Sequence, residues 1–439
     1  MTRLQGVEHC FRSECVRYRF GMQNPGVVIV GAGHGGGAAA AELRSAGYSG
    51  SITLLGQEPY APYHRPPLSK AWLAGAADAQ ALQLRPGRFY REQGIDLRLG
   101  SMVVGIDRAR RAVTLADGQE HPYDHLILAT GSRPRRLPLP GADLDGVLVL
   151  RDARDADRLK AALVPGVRII VIGGGYLGLE VAAAASGLGA QVTVAEQQDR
   201  LLPRVAGEAL AGFLADYHRS HGVEVLFSAA VTHLQGSADG QVRRVHLSDG
   251  GVLDGDVVLI AAGGVANVEL AQDAGLDCAD GVICDASGRT SDPRIFAIGD
   301  CARRPVPYGG GVRRLESVQN ANEQARRVAA AVCGSPLPPD EVPWFWSDQY
   351  DLKLQLAGLP YDFDEVVVRG DPAKAPFAVF YLRHGVVQAV EAVNAPREFA
   401  VGRQLIGAGR TVAPALLADP SVAMRDISTA ATQVAPAQK

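Results

Sequence analysis

The chain has 439 residues, of which 47% are hydrophobic and 21% charged, with a formal net charge of −3. That length and apolar content fit two or three domains with a large core. The balanced charge excludes the global positive field that binds nucleic acid, and no apolar run of about 18 residues is present to span a membrane.

The first 22 residues, MTRLQGVEHCFRSECVRYRFGM, lack the apolar stretch of a secretory signal and match no regular element. Residues 1–24 are therefore expected to be a disordered extension, with translation starting at Met22 as the other reading. The six cysteines, Cys10, Cys15, Cys278, Cys284, Cys301 and Cys333, form no C-x-x-C pair and no zinc or iron–sulfur spacing. They read as reduced, mostly buried thiols of a cytoplasmic protein without a bound metal.

In chain order, Val27 to Val30 is an apolar run suited to a parallel strand covered on both faces. Gly31, Gly33 and Gly36 follow as G-x-G-x-x-G. The first permits a tight turn, the second lets backbone approach a pyrophosphate, and the third lets helix and strand pack closely. An alanine-rich helix over Gly37 to Ala46 would present its amino end to the phosphates. After a second strand, Ser51 to Leu55, the carboxylate that usually bonds a ribose is displaced. Gly56 occupies that position, and Glu58, the nearest acid, is assigned to the adenosine ribose against its reading as a solvated loop residue. A buried strand in His121 to Thr130 ends in the turn Ala129-Thr130-Gly131 beside the nucleotide. The proline-rich RPRRLPLPG then reads as a linker.

A second unit of the same kind begins near Val167, with Gly173, Gly175 and Gly178 in the three glycine roles. Its second strand ends in VTVAE, placing Glu196 where a carboxylate bonds a ribose 2′-hydroxyl and repels a 2′-phosphate. Gln197 and Gln198 follow rather than arginines, which favours NADH over NADPH, with Arg200 as the one nearby residue on the other side. Two dinucleotide units in one chain imply that hydride passes between their ligands. Further on, the strand Ile295 to Ile298 delivers Gly299 and Asp300 at its carboxyl end, where ligands of open parallel sheets lie. From Pro343 the alternation in PWFWSDQYDLKLQLAG, EVVVRG and FAVFYLRHGVVQAVEAV predicts antiparallel strands followed by helices. The tail after Ile427 is rich in Ala, Thr, Pro and Gln and is expected to be disordered.

PYHRPPLSK (Pro62 to Lys70), the two glycine loops, FAIGD, RRLESVQNANEQA (Arg313 to Ala325) and PWFWSDQYDLKLQ together resemble the ferredoxin reductases of bacterial oxygenase systems. This FAD- and NADH-dependent group includes putidaredoxin reductase, rubredoxin reductases and the reductase components of aromatic-ring dioxygenases. The resemblance spans Pro25 to Ile427, with AAGGVAN (Ala261 to Asn267) departing from the usual pattern. It implies an α/β, glutathione-reductase-like fold of two Rossmann-like domains and a C-terminal α+β domain. The implied boundaries are 25–137 and 266–340 for the FAD domain, 138–265 for an inserted NADH domain, 341–427 for the C-terminal domain and 428–439 for the tail.

The resemblance also implies roles. Arg65, Pro66 and Lys70 would line the isoalloxazine ring, Arg133 and Asp300 would hold the FAD pyrophosphate and ribityl chain, and Trp346 would lie by the flavin pocket. Glu180 would approach the nicotinamide and pair with Lys70, making these two the catalytic residues. Electrons would leave singly to a [2Fe–2S] ferredoxin that supplies a cytochrome P450 or a ring-hydroxylating dioxygenase, with a rubredoxin as the near alternative. A docking face is expected in the arginines flanking PYGGGVRR, namely Arg303, Arg304, Arg313 and Arg314. Trp344 and Trp346 could carry electrons or simply pack. PYHRPPLSK holds no cysteine, which disfavours a disulfide or peroxide reductase. An NADH-sensing flavoprotein of the apoptosis-inducing-factor type remains the non-catalytic alternative.

Overall fold

The computed structural model describes residues 26–309 and 311–433, so the expectations for residues 1–24, including Cys10 and Cys15, lie outside the described residues. Strand Gly26–Val30 is buried along its whole length. It lies between Ile52–Leu55 and Glu120–Leu128, parallel to both. Ile95–Arg98 extends the sheet beyond Ile52–Leu55. An antiparallel ribbon, Val103–Asp107 and Ala112–Leu115, is built on the first half of Glu120–Leu128. The strand order reverses beside Gly26–Val30, so its carboxyl end opens into the crevice where parallel sheets bind ligands.

The same arrangement recurs in a second parallel sheet, in the order Glu224–Leu226, Gln191–Ala195, Arg168–Ile172, Val257–Ile260, Val147–Leu148. The first sheet is completed only afterwards. Ile295–Ala297 returns to pair with Glu120–Leu128, Ile295 opposite Leu126 and Ala297 opposite Leu128. The first Rossmann-like domain is therefore interrupted by the second. The two crossings of chain lie side by side as a two-stranded neck in which Ser132–Pro134 pairs antiparallel with Gly264–Ala266. Thr130 and Asn267 lock it reciprocally, each side chain bonding the other's backbone carbonyl at 2.7 and 2.9 Å. The unusual AAGGVAN segment forms one side of this neck.

The first helix spans His34–Ser45, starting three residues before the expected Gly37. Glycines at its start hide it from propensity reasoning, because they are selected for close approach rather than helicity. The carboxyl-terminal part is an antiparallel sheet in the order Trp344–Gln349, Leu352–Gly358, Val386–Val393, Phe377–Arg383, Glu365–Gly370. Helix Pro396–Ala408 packs on this sheet. The tail expected to be disordered over 428–439 needs correction for residues 428–433, and residues 434–439 lie outside the described residues. Helix Met424–Ala430 continues past Ile427, and Thr432–Gln433 pairs with Arg410–Thr411. Leu417, Met424 and Ile427 are buried in the domain core. They hold the segment close enough to add a strand despite its polar composition.

Candidate functional site

A cleft of about 2010 Å³ is lined from both glycine loops, from the Arg65–Lys70 segment and from the sheet that carries Trp346. Ordinary single-ligand pockets reach about 1,000 Å³, so this cleft has room for two dinucleotides. The two loops bordering it divide the work of their glycines identically. Gly31 has φ +111°, and a Cβ there would stand 2.2 Å from the Ala129 carbonyl oxygen, so the turn against the Ala129 strand end requires glycine. A Cβ on Gly36 would stand 1.9 Å from the Gly31 carbonyl oxygen, whereas one on Gly33 would meet nothing within 4 Å. In the second loop Gly173 has φ +111° and faces the Ala261 carbonyl, Gly178 would strike the Gly173 carbonyl at 2.3 Å, and Gly175 again faces open space.

Helices His34–Ser45 and Tyr176–Gly187 are N-capped by Gly33 and Gly175, and neither has a side-chain cap. Uncapped first-turn N–H groups facing an open cradle are the donor set a pyrophosphate satisfies. Both loops therefore fit a dinucleotide.

Lys70 and Glu180 meet as expected, with Nζ 2.7 Å from Oε2, and both are largely buried. The Pro66–Ser69 turn places Lys70, whose Nζ also donates to the Pro66 carbonyl at 3.3 Å. Two residues absent from the sequence reading complete the Glu180 environment: Ser69 donates to Oε2 at 2.5 Å and Ser347 to Oε1 at 2.6 Å. Glu58 lines the cleft, but its oxygens already accept from Tyr63 at 2.6 Å and from Arg65. Arg65 in turn donates to the Arg151 carbonyl at 2.6 Å.

Asp300 accepts from Ser132 at 3.0 Å and from Arg151 at 3.1 Å. Arg151 carried no sequence signal, since it is a lone arginine after a short strand. Arg133 lines the cleft with a half-exposed side chain bonded to Glu269 and Asn267 at 2.7 and 2.8 Å. Glu196 is buried and turns back to its own loop, accepting from the Gly174 and Gln198 amides at 2.7 and 2.9 Å. Arg200 donates to the carbonyls of Ala206 and Pro203 at 2.8 and 3.0 Å.

Trp346 lines the cleft with Trp344, their rings 5.5 Å apart, and Trp344 packs against Phe399 at 6.0 Å.

No cysteine lines the cleft among the described residues. Burial pushes the Cys284 thiol up to about 12 and raises that of Cys301. Neither is a thiolate at neutral pH. No cluster of three metal-ligating side chains occurs among the described residues. No helix there is long and apolar enough to cross a membrane.

The expected arginine patch needs correction. Arg304 is 2% exposed and paired with Glu323 at 2.9 Å. Arg314 is held by Asp280 and Glu316. Arg313 lies over the Tyr361 ring at 4.1 Å. Strands Ala302–Pro305 and Val312–Arg314 pair antiparallel, and that alternation sends Arg304 inward. The four arginines are not one cationic face.

A family model for pyridine nucleotide-disulphide oxidoreductases matches residues 25–325, and one for a reductase C-terminal domain matches residues 344–428. The chain is 49% identical to a probable ferredoxin reductase, CtmF, of Castellaniella defragrans over 91% of this chain and 98% of that one. It is 43% identical to putidaredoxin reductase CamA of Pseudomonas putida, over 93% and 98%. The crystal structure of a covalent putidaredoxin reductase–putidaredoxin complex superposes with a TM-score of 0.91 at 42% identity, covering 93% of this chain and 99% of that one. Matched over most of its length on both sequence and fold, the chain belongs to the pyridine nucleotide-disulphide oxidoreductase family.

Proposed function

We propose that the chain is an NADH-dependent, FAD-containing ferredoxin reductase of the cytoplasm, passing electrons to a [2Fe–2S] ferredoxin that serves a cytochrome P450 or a ring-hydroxylating dioxygenase. The observation that carries this is the convergence of two equivalent glycine cradles on one cleft that holds the Lys70–Glu180 pair and, among the described residues, no thiol. FAD supplies, when bound, the exchange between a two-electron donor and one-electron acceptors. The relatives named for ferredoxin partners support the acceptor class. The thiols of Cys278, Cys284, Cys301 and Cys333 are free, which supports a reducing compartment.

The protein's part is positioning and charge. Gly33 and the helix behind it would hold the FAD pyrophosphate, and Gly175 and its helix that of NADH. Asp300, fixed by Ser132 and Arg151, presents a carboxylate at the strand end for polyol hydroxyls. Arg65 and Pro66, which line the cleft, would wall the ring site, and Glu58, which steadies Arg65, would take the adenosine ribose. Lys70 places a cation on the cleft wall, favouring electron-rich density beside it, and Glu180 holds that cation in place. Glu196 excludes a 2′-phosphate, and Arg200, engaged with backbone carbonyls, is not aimed to reward one.

The test is NADH-dependent reduction of cytochrome c by the yellow holoprotein, with and without a [2Fe–2S] ferredoxin. Rapid turnover is expected only with ferredoxin. Equal rates without it, or an acceptor screen in which disulfides or peroxide outpace ferredoxin, overturn the assignment.

A further inference from the structure

The Lys70–Glu180 pair continues into a buried hydrogen-bonded chain. Ser347 Oγ donates to Glu180 Oε1 at 2.6 Å, and Gln349 Nε2 donates to Ser347 Oγ at 3.2 Å. Gln349 Oε1 lies 2.9 Å from His218 Nε2, and His218 Nδ1 lies 3.3 Å from the Tyr350 hydroxyl. Ser347, Gln349 and His218 are each at most 1% exposed. Ser347 and Gln349 are two apart on strand Trp344–Gln349 and so share a face. His218 comes from the last turn of helix Glu208–Ser220, and Glu180 from helix Tyr176–Gly187. Ser69 and Lys70 belong to the first dinucleotide domain. Three parts of the fold meet in one network.

The chemistry of the groups gives this network a direction. A carboxylate only accepts, so Ser347 spends its proton on Glu180 and its oxygen accepts from the Gln349 amide nitrogen. Gln349 then offers its carbonyl oxygen to His218, which must carry its proton on Nε2 and accept at Nδ1 from Tyr350. Every donor points toward Glu180. Burial lowers the His218 pKa, which favours this neutral form. The other titratable groups around it are Tyr350, His221 stacked on Tyr350 at 4.0 Å, and Tyr217, which is bonded to Asp351. A carboxamide in the middle does not pass a proton along as a hydroxyl or water does. The chain therefore orients rather than conducts.

We propose that Ser347, Gln349 and His218 are positioning residues whose aligned donors keep the Glu180 carboxylate turned toward Lys70, fixing the cation on the cleft wall. This rests on the reading of Lys70 and Glu180 as the charged pair that acts beside the flavin.

Gln349→Glu tests it with little change in side-chain size. A carboxylate at 349 accepts from both neighbours, so Ser347 turns away from Glu180 and the chain's polarity reverses. Gln349→Leu cuts the chain instead. Two readouts are taken on FAD-loaded protein: the ¹⁵N imidazole resonances of His218, and the limiting rate of flavin bleaching by NADH, separated from NADH affinity by stopped flow. Wild type is expected to show a neutral, Nε2-protonated His218, and Gln349→Glu a charged one. Losing the Ser347 donor to a carboxylate should slow bleaching about tenfold in Gln349→Glu, with NADH affinity little changed, whereas Gln349→Leu, which leaves Ser347 able to donate to Glu180 but no longer aligned, should slow it less. Ser347→Ala should slow it as Gln349→Glu does, and Ser347→Thr should restore it.

A His218 that carries its proton on Nδ1 in wild type overturns the proposal. So do Gln349 and Ser347 variants that bleach at the wild-type rate while Glu180→Gln is slow, an outcome that leaves the role of the pair intact. Wild-type bleaching by Glu180→Gln itself overturns the reading of the pair instead.

Discussion

Glu196 braces the second glycine loop through the Gly174 amide, and we propose that the same carboxylate reads the coenzyme ribose. Replacing it with Ser and introducing arginine at Gln197 should raise the NADPH/NADH ratio of kcat/KM by about tenfold or more, the scale of one charged hydrogen bond gained and one repulsion removed. Steady-state kinetics with both coenzymes reads this, and wild-type turnover that is equal with NADPH overturns the NADH preference. Strand and turn lengths alone placed Glu196 directly after the second strand, Gln191–Ala195, where the structure has it against its own glycine loop. Sequence spacing misjudged Arg304, because nothing local marks its partner: Glu323 lies on the helix Val318–Val332, behind an intervening strand and loop. Ser347, Gln349 and His218 were equally silent, since their significance is a relation between three distant stretches of chain.

At the scale of the element, the strand–loop–helix unit separates fold from function among its own glycines. Gly178 touches backbone and Gly175 touches nothing. Gly178→Ala should therefore destabilise the protein by about 1–3 kcal/mol through overpacking, seen as a lowered thermal midpoint. Gly175→Ala should leave the midpoint almost unmoved while weakening NADH binding, measured by titration of the reduced coenzyme. Equal loss of stability in both would show that the open face of Gly175 is not reserved for a ligand. These units were legible because a G-x-G-x-x-G between an apolar strand and an alanine-rich helix has few other physical uses. Helix starts and the tail beyond Ile427 were not, because the first depends on glycines poor in helix propensity and the second on anchoring by Leu417 and Met424.

At the scale of the whole molecule, the carboxyl-terminal sheet is tied to the inserted domain through Glu391. It is 1% exposed, accepts from the Gly207 amide at 3.0 Å and from Tyr381 at 2.8 Å, and lines the cleft. Burial is the main cause that raises its carboxyl pKa to about 7. A carboxyl raised on folding binds more protons in the folded than in the unfolded chain. Its contribution is thus complete below the ordinary carboxyl range and lost as pH rises through about 7. Glu391→Gln, which can keep both bonds, should raise the thermal midpoint at pH 8, by about 2–3 kcal/mol in stability, and change little at pH 5. A midpoint difference independent of pH would refute the assignment. Composition could not reveal this group, since its burial depends on two domains closing over it.

The return of Ile295–Ala297 to the first sheet carries a consequence for biosynthesis. On the ribosome, the inserted module is contiguous and can close as soon as it emerges. Its host must wait with the Leu126–Leu128 flank unpaired until the chain has grown past Ala297. Guest is finished before host, and the nascent polypeptide exposes an open strand edge through the whole interval, the state in which intermolecular pairing competes with maturation.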